Sequence, residues 1–264
     1  MIDWAVTSKP RAVPPPLVHV VDDDEAVRTA VVRLLRSAGH DARAYASAAE
    51  FVLAGEVGGP GCAVLDLNLP DASGLELQDA LSSSRSPLPV VFLTGHGDVP
   101  STVRAMKAGA VDFLTKPVNP DLLLKAVACA LERDARRRAT DSKLAELKER
   151  YRRLTPRERE VFGCVVEGRL NKQIAGDLGA SERTIKVHRA RVMHKMGVRF
   201  VAQLVRAGEQ LKTIPAAEQD TGLPLGASRD FPMDQWIRRR CAPIIDAPVV
   251  RQAVGRDAAK ECRQ

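Results

Sequence analysis

Three carboxylates, one hydroxyl and one amine stand at the ends of short apolar runs that lie far apart in the chain. Asp22 and Asp23 follow the run LVHVV, and Asp66 follows CAVL. Thr94 ends PVVFLT, and Lys116 comes directly after VDFLT. If the carboxylates meet, each pair repels by roughly 4 kcal/mol at about 4 Å and an effective dielectric of about 20, so a cation or shifted pKa values must compensate. Oxygen ligands without histidine favour Mg²⁺ as that cation.

Such a set of groups can bind and accept a phosphoryl group. A divalent cation and an ammonium neutralise the phosphoryl oxygens while a carboxylate attacks in line. We interpret Asp66 as that nucleophile, which forms an acyl phosphate. Each residue alone has a simpler interpretation, because an Asp after a strand is more often a helix cap, as Asp24 is expected to be. The joint pattern is what favours function.

The apolar runs are predicted strands, and helical stretches separate them. Five short runs rich in apolar and β-branched residues predict strands: 17–21, 41–45 (the weakest), 62–66, 89–94 and 111–115. Helical stretches that stop at Gly39, Gly55 and Gly109 lie between them. Strands that alternate with helices predict an α/β fold with a doubly wound, five-stranded parallel sheet. Its functional crevice lies outside the carboxyl ends of the strands, where the five polar residues would meet.

Charge divides the chain into an acidic and a basic half. Residues 17–131 hold nine Lys and Arg against fourteen Asp and Glu, whereas residues 141–211 hold sixteen against nine. This asymmetry predicts two modules with different partners, and 264 residues suffice for two domains. The five cysteines show no C-x-x-C spacing, which argues against a zinc site or a disulfide framework. No run approaches the ~18 apolar residues of a membrane span, and the start has no apolar signal region, so we expect a cytoplasmic protein without membrane contact.

Composition predicts five segments along the chain. They are a disordered leader over 1–16, a first domain over 17–131, a charged helical linker over 132–153, a second domain over 154–208 and a disordered tail over 209–264. The tail is rich in Pro, Gly and Ala, although Trp236 before three arginines leaves open a contact with nucleic acid or a partner. At the end of the linker and directly after it, a stripe that could extend a dimer-forming helix, but is too short for a coiled coil, is formed by Leu144, Leu147, Tyr151 and Leu154.

The basic half shows the layout of a helix-turn-helix. LTPRERE predicts a helix start, with Thr155 as N-cap, Pro156 at the first position and Glu158 closing a capping box. Two later helical stretches are joined by a tight turn at Gly179, and Ser181 is the expected cap of the second. An all-α domain in which a short turn joins a helix to a second, basic helix fits DNA binding.

The basic helix, which begins after Ser181, has two faces. Ile185, Val192 and Met196, with His188 between them, repeat at helical spacing and are expected to pack inward. The other face is suited to a major groove and carries Arg183, Lys186, Val187 and Ala190. Three further basic residues are either solvated charges or phosphate contacts: Arg189, Arg191 and Lys195.

Four motifs of the acidic half resemble the receiver domain of two-component response regulators. They are VVDDD at 20–24, LDLNLPDASG at 65–74, TGHGDVP at 94–100 and AMKAGAVDFLTKP at 105–117. The resemblance implies a flavodoxin-like sheet and transfer of a phosphoryl group from a sensor histidine kinase to Asp66. It implies that Mg²⁺ is bound by Asp22, Asp23, Asp66 and the backbone carbonyl of Asn68.

Further roles follow from the same resemblance. Thr94 and Lys116 contact the phosphoryl group, the Lys116–Pro117 bond is cis, and Phe113 is the aromatic residue that turns inward with Thr94 on activation. Val118 departs from the family pattern, in which an aromatic residue commonly follows Lys-Pro.

Residues 154–206 resemble the four-helix LuxR/NarL-type DNA-binding domain through LTPREREV and GRLNKQIAGDLGASERTIKVHRARVMHKM. The two domains together are typical of a FixJ-type response regulator. The resemblance implies that Lys186 and Val187 face bases, that Asn171, Lys172 and Thr184 approach phosphates, and that the last helix, about 200–207, serves as a dimer surface. Ala190 replaces a longer polar residue of some relatives, so the DNA sequence that they bind does not transfer to this chain.

We therefore predict a phosphorylation-controlled transcriptional regulator, and not an enzyme. Its expected partners are a sensor histidine kinase within a phosphorelay, promoter DNA, RNA polymerase and a second copy of the chain. A DNA-binding protein whose receiver is only a docking module stays as the alternative. An aspartyl phosphatase is disfavoured because Asn68 stands where such enzymes place a second acid, and GHGDVP lacks the third glycine of a dinucleotide-binding loop.

Overall fold

A computed structural model of the protein describes residues 14–55, 58–83, 87–95 and 99–212. The predicted leader up to residue 13 and the predicted tail from residue 213 lie outside this range. The described chain forms two compact units that divide between Ala135 and Arg136. Within the described ranges, no helix is both long enough and apolar enough to cross a bilayer.

The first unit is built on a five-stranded parallel sheet, as predicted. Its strands are β1 (Leu17–Val21), β2 (Asp41–Tyr45), β3 (Gly61–Leu65), β4 (Val90–Thr94) and β5 (Asp112–Thr115), in the spatial order β2-β1-β3-β4-β5. All four pairings are parallel. The order reverses direction after β1, so the carboxyl ends of β1 and β3 flank the crevice where this fold binds ligands.

Helices cover both faces of the sheet. They are α1 (Glu25–Ser37), α2 (Ala48–Leu53), α3 (Gly74–Ser82), α4 (Val99–Lys107) and α5 (Pro120–Arg152). Buried side chains of α2, α3 and α4 pack on one face and those of α1 and α5 on the other. The central strand β3 therefore alternates between the two cores, with Ala63 and Leu65 in one and Cys62 and Val64 in the other. A strand buried on both faces reads as an unbroken apolar run.

Local signals in the sequence set the helix ends. The Asp24 carboxylate accepts hydrogen bonds from the amides of Ala26 and Val27, which confirms it as the cap of α1. Gly39 and Gly109 follow helices with positive φ angles of 86° and 90°, a conformation that side chains disfavour. A Cβ at Gly74 would overlap the carbonyl oxygen of Asp66, so only glycine lets α3 start this close to the end of β3.

The predicted charged linker is helical and is part of α5, which runs from the first unit into the second. In the first unit α5 buries Leu123, Val127 and Ala130. Its Asp134 is also buried and accepts a hydrogen bond from the Gly61 amide at 3.0 Å. That contact fixes the start of β3 to the helix.

The second unit packs four helices and the end of α5 around one core. The helices are α6 (Pro156–Val166), α7 (Asn171–Asp177), α8 (Glu182–Met196) and α9 (Val201–Lys212). Leu147, Tyr151 and Leu154 of the predicted stripe belong to this core, and the Tyr151 ring lies 5.2 Å from that of Phe162. Three residues of the stripe therefore stabilise their own domain.

The last helix is longer than predicted. The sequence placed the end of the second domain at residue 208 and a disordered tail after it, but α9 continues to Lys212. Leu204, Ala207 and Leu211 recur at helical spacing and pack on the core of the second unit. This apolar face continues past Gly208, which explains the extension.

Candidate functional site

The three predicted carboxylates meet at one edge of the sheet. Asp22 and Asp23 follow β1 and Asp66 follows β3, and one carboxylate oxygen from each lies within 4.8 Å of the others. The backbone holds the two strand ends together, since the Asp66 amide donates to the Val21 carbonyl at 2.8 Å. Asp22 and Asp66 are only 2% and 6% exposed, whereas Asp23 is exposed. The cluster thus opens to solvent on the side of Asp23.

Lys116 reaches this cluster from the end of β5. Its Nζ lies 2.6 Å from Oδ2 of Asp22 and 2.8 Å from Oδ2 of Asp66. The Lys116–Pro117 bond is cis, as predicted. The backbone amide of Lys116 donates to the Thr94 carbonyl at 2.7 Å, which ties the ends of β4 and β5 together. One ammonium is therefore shared by two buried carboxylates.

Burial and charge shift the pKa values of this cluster. Burial raises the pKa of Asp22 above 3.8, because the hydrogen bond and charge of Lys116 do not offset the loss of solvent. The charge of Asp66 acts in the same direction. Burial acts to lower the pKa of Lys116, but its hydrogen bonds to Asp22 and Asp66 outweigh this effect and raise the pKa above 10.5. Lys116 stays protonated at neutral pH, yet one positive charge faces three acids.

The donor set fits Mg²⁺. Three carboxylate oxygens lie close together on a partly open surface, and no nitrogen or sulfur ligand is among them. A bound dication would add the positive charge that Lys116 alone does not supply. Asn68 is exposed on the loop after Asp66, and its amide donates to Asp66 Oδ1 at 3.2 Å. Metal ligation by its carbonyl stays a prediction.

The predicted switch residues lie on neighbouring strands. Thr94 is fully buried at the end of β4. Phe113 is half-buried on β5, where it packs against the core beside Phe92, with ring centroids 6.0 Å apart. Because Thr94 ends β4, it lies at the same edge of the sheet as Asp66. The movement of Thr94 and Phe113 on activation stays a prediction.

Two polar residues on segments next to the acidic cluster make contacts that were not predicted from the sequence. The Arg28 guanidinium donates to the backbone carbonyl of Asp22 at 2.7 Å. Asp71, on the loop after Asp66, accepts hydrogen bonds from the amides of Ala48 and Ala49. Arg28 is one of several arginines of α1, and Asp71 contacts residues more than 20 positions earlier. No signal in the neighbouring sequence therefore predicts either contact.

The second candidate site is the exposed face of α8. Ile185, Val192 and Met196 are buried as predicted, and His188 is half-buried. The predicted DNA-facing residues of α8 are exposed: Arg183, Thr184, Lys186, Val187 and Ala190. Val187 is 46% exposed, a high value for a β-branched apolar residue in a folded domain. The side chain of Ser181 caps this helix through the Thr184 amide at 3.1 Å.

Some predicted phosphate contacts have partners within the chain. The Oδ1 atom of Asn171 accepts a hydrogen bond from Arg189 at 2.5 Å, which links α7 to α8. The Thr184 hydroxyl lies 2.8 Å from that of Ser181. Lys172 is exposed at the start of α7. Of the three basic residues left open by the sequence, Arg189 is therefore engaged with Asn171, and Arg191 is exposed.

Lys195, the third of these, pairs with a buried acid. Its Nζ lies 2.6 Å from Oε2 of Glu158, which is 3% exposed. Thr155 and Glu158 also form the predicted capping box at the start of α6. Burial acts to raise the pKa of Glu158, but Lys195 and the two bonds to Thr155 hold the pKa below 4.5. This ion pair joins α6 to α8 and belongs to the structure of the domain.

Comparison with known proteins gives two family matches. Residues 18–128 match the response regulator receiver domain, and residues 152–207 match the luxR family of bacterial regulatory proteins.

Several relatives match both regions together. Nodulation protein W of Bradyrhizobium diazoefficiens is 45% identical over 195 residues, which cover 74% of this chain and 86% of the relative. The transcriptional regulatory protein FixJ of Azorhizobium caulinodans is 43% identical over 199 residues, which cover 75% of this chain and 94% of the relative. Among solved structures, the response regulator StyR aligns with a TM-score of 0.69 and 44% identity, over 75% of this chain and all of StyR.

Proposed function

Since this chain belongs to the FixJ type of two-component response regulators, we propose that Asp66 accepts the phosphoryl group that controls its binding to DNA. The family consists of transcription regulators that bind DNA under the control of phosphorylation, and this chain is one of them. A sensor histidine kinase and DNA are the partners that its two domains imply.

The shared ammonium of Lys116 is the observation that carries the assignment of Asp66. Asp66 is the member of the acidic cluster that follows the central strand, and its Oδ2 is 2.8 Å from Nζ of Lys116. In the proposed transfer, an Asp66 oxygen bonds to phosphorus while the bond from phosphorus to the kinase histidine nitrogen breaks. The departing imidazole keeps the electron pair and takes up a proton. Lys116 then turns from Asp66 to the new phosphoryl oxygens.

We assign the cation site to Asp22, Asp23, Asp66 and the Asn68 carbonyl. Bound Mg²⁺ supplies positive charge against the developing charge of the phosphoryl oxygens. Asp22 and Asp23 hold the cation beside the nucleophile, and the buried position of Asp22 keeps water from one side of the site. The raised pKa of Asp22 supports this assignment, because a dication relieves the unfavourable burial of its charge.

Activation then passes through Thr94 and Phe113. We propose that the Thr94 hydroxyl bonds to the phosphoryl group and that Phe113 turns further into the space that Thr94 leaves. The half-buried state of Phe113 beside Phe92 supports this step, because the ring already contacts the core into which it would turn. Asn68 replaces the second acid of aspartyl phosphatases, so the phosphoryl group is lost slowly and the chain turns over no other substrate.

On the DNA side, we assign base contacts to Lys186 and Val187 and groove contacts to Arg183 and Ala190. Asn171, Lys172 and Thr184 are assigned to phosphates. The exposure of the α8 residues supports this division, and bonds within the domain orient Asn171 beside α8 and Thr184 at the start of α8. Because phosphate contacts dominate affinity, binding should weaken steeply with salt.

The remaining partners are proposed on family grounds and on one exposed surface. Phe200 and Val201, at the start of α9, are 67% and 39% exposed and suit a homodimer that forms on phosphorylation. RNA polymerase is the proposed target of the DNA-bound protein, and the cytoplasm is its proposed location because promoter DNA and RNA polymerase are its proposed partners.

Mass spectrometry of the full chain tests the assignment of Asp66. Incubation with acetyl phosphate and Mg²⁺ should add one phosphoryl group, and peptide mapping should place it on Asp66. The Asp66→Asn variant should gain no phosphoryl group, while Asp71→Asn, a change on the same loop, should still gain one. Phosphorylation at another residue of the wild-type chain would overturn the assignment.

A further inference from the structure

The loop that follows Asp66 is closed by its own backbone. Asn68 and Ser73 form an isolated antiparallel bridge across it, and the Gly74 amide donates to the Leu67 carbonyl at 2.8 Å. The Asn68 amide donates to Asp66 Oδ1 at 3.2 Å. The loop thus has a narrow base next to Asp66 and a tip that includes Asp71.

Asp71 fastens this tip to a different helix. Its Oδ1 accepts from the Ala48 amide at 3.1 Å and its Oδ2 from the Ala49 amide at 2.7 Å. These two amides are the first of α2, which starts more than 20 residues earlier in the chain. Both oxygens of one half-buried carboxylate are therefore used to hold the loop against the start of α2.

The helix α2 also has a cap of its own. Ser47 Oγ accepts from the Glu50 amide at 3.1 Å, and Glu50 Oε2 accepts from the Ala46 amide at 2.6 Å. Ser47 and Asp71 thus divide between them the first-turn amides that have no acceptor within the helix. The two caps serve the same helix, but only Asp71 belongs to the loop that carries Asn68.

We propose that Asp71 is a positioning residue for the cation site: by tying the loop tip to α2, it holds the Asn68 carbonyl where Mg²⁺ binds beside Asp66. This inference rests on the proposed function, in which Asn68 is a metal ligand. Without the tie, the loop gains conformational freedom that must be lost when the metal binds. Leu67 and Ala72 remain buried and limit this freedom, so the site weakens without disappearing.

Calorimetric titration of the unphosphorylated full chain with MgCl₂ tests the proposal. The Asp71→Ala variant should bind Mg²⁺ roughly three- to tenfold more weakly, the size of one lost cap. Its phosphorylation by acetyl phosphate should need correspondingly more Mg²⁺, but at saturating Mg²⁺ its rate should stay within about twofold of wild type, since no reacting group has changed. The Asp71→Asn variant keeps one of the two oxygen acceptors and points an NH₂ group at the other amide, so it should also weaken Mg²⁺ binding, but by less than Asp71→Ala.

Ser47→Ala is the matched control, because it removes the other cap of the same helix. It should lower thermal stability as Asp71→Ala does but leave the Mg²⁺ affinity unchanged. Equal Mg²⁺ affinity in wild type and Asp71→Ala would overturn the proposal, as would an equal loss in Ser47→Ala. If Asp71→Ala fails to fold, Asp71→Asn carries the test: it should bind Mg²⁺ more weakly than Ser47→Ala, and equal affinities of these two variants would overturn the proposal. If Asp22→Asn binds Mg²⁺ as wild type does, the metal site itself is wrongly placed, which is a failure of the proposed function and not of Asp71.

Discussion

The acidic pocket and the helix-turn-helix each contain a lysine 2.6 Å from a buried carboxylate, but the two pairs differ in what surrounds them. In the pocket, Lys116 is shared between Asp22 and Asp66, and burial raises the pKa of Asp22. In the second unit, Lys195 of α8 pairs with one carboxylate, that of Glu158 on α6. Two bonds to Thr155 also hold this carboxylate, and the pKa of Glu158 is lowered. The acidic cluster has more negative charge than Lys116 can balance, whereas the charges of Lys195 and Glu158 balance each other.

The acidic cluster therefore favours a bound ligand that balances its charge, whereas the Lys195–Glu158 pair stabilises the second unit. A buried carboxylate whose charge is not neutralised favours binding of a cation or a phosphoryl group, and it lowers the stability of the folded domain. A balanced, hydrogen-bonded pair contributes to folding, and its loss leaves a charge without a partner. Substitutions in the two regions should therefore change different properties.

The largest effect is expected from breaking the balanced pair. Glu158→Ala removes the partner of Lys195 and half of a capping box, so it should destabilise the second unit by about 3 kcal/mol, roughly 150-fold in the folding equilibrium. Hydrogen exchange of the full chain, resolved by peptide, measures this for each unit. Glu160→Ala breaks an exposed pair with Arg157 in the same helix and should cost at most about 1 kcal/mol. If the two variants are destabilised equally, the buried Lys195–Glu158 pair stabilises the unit no more than an exposed ion pair does.

A backbone shift in the pocket should affect phosphorylation more than stability. Gly74→Ala places a Cβ against the Asp66 carbonyl, so the start of α3 or the end of β3 must move. Displacement of a reacting group by about 1 Å costs on the order of 100-fold in rate, which kinetics with acetyl phosphate would show. Gly58→Ala meets open space and should phosphorylate normally. If Gly74→Ala is phosphorylated as fast as wild type, the exact position of Asp66 is not critical for phosphorylation.

The exposed lysines of the DNA-binding unit should affect DNA binding and not the stability of the fold. Lys186→Ala should weaken binding to the best sequence by about tenfold and reduce the preference over other sequences. Lys172→Ala should weaken binding to all sequences alike and reduce the salt slope by about one. Titrations of fluorescent DNA at several salt concentrations distinguish these outcomes. If both variants lose sequence preference equally, the division into base and phosphate contacts is wrong.

The smallest expected effect is a pH dependence of folding stability, which has opposite signs in the two units. The lowered pKa of Glu158 means that its contribution to stability is present above its ordinary pKa of 4.5 and is lost as the pH falls through the folded-state pKa. The raised pKa of Asp22 means that the folded state binds the proton more readily than the unfolded state. Its unfavourable contribution therefore disappears as the pH falls from neutral toward 3.8.

Metal-free hydrogen exchange of the full chain at pH 7, at pH 5 and at a pH below 4.5 measures this contrast, because the contribution of Glu158 is lost only below 4.5. The Asp22→Asn variant should remove the gain on acidification in the first unit and leave the second unit unchanged. A first unit of Asp22→Asn that still gains stability like wild type would show that another acid is responsible.

The sequence predicted those parts of the fold and site that depend on local pattern. Asp22, Asp66 and Lys116 could be brought together because parallel strands deliver their carboxyl ends to one edge. The caps at Asp24, Thr155 and Ser181 were also predictable, since a cap is recognised from the residues next to it.

Contacts between distant segments could not be predicted in the same way. The bonds of Asp71 to α2 and of Asp134 to Gly61 join residues 22 to 73 positions apart without any spacing rule. Lys195 was left open between a solvated charge and a phosphate contact, because its pairing with Glu158 depends on how α6 packs against α8. The end of α9 was placed too early, although its apolar face continues past Gly208 to Leu211.

The central claim is that phosphorylation of Asp66 controls DNA binding, and one titration tests it directly. Promoter fragments recovered by sequencing DNA bound to the intact protein are titrated with wild type and Asp66→Asn, each with and without acetyl phosphate and Mg²⁺. Wild type should gain at least about tenfold in affinity with the phosphodonor, a typical allosteric coupling, and Asp66→Asn should gain nothing. An Asp66→Asn protein that responds as fully as wild type, or a phosphorylated wild type whose DNA affinity does not change, would contradict the claim.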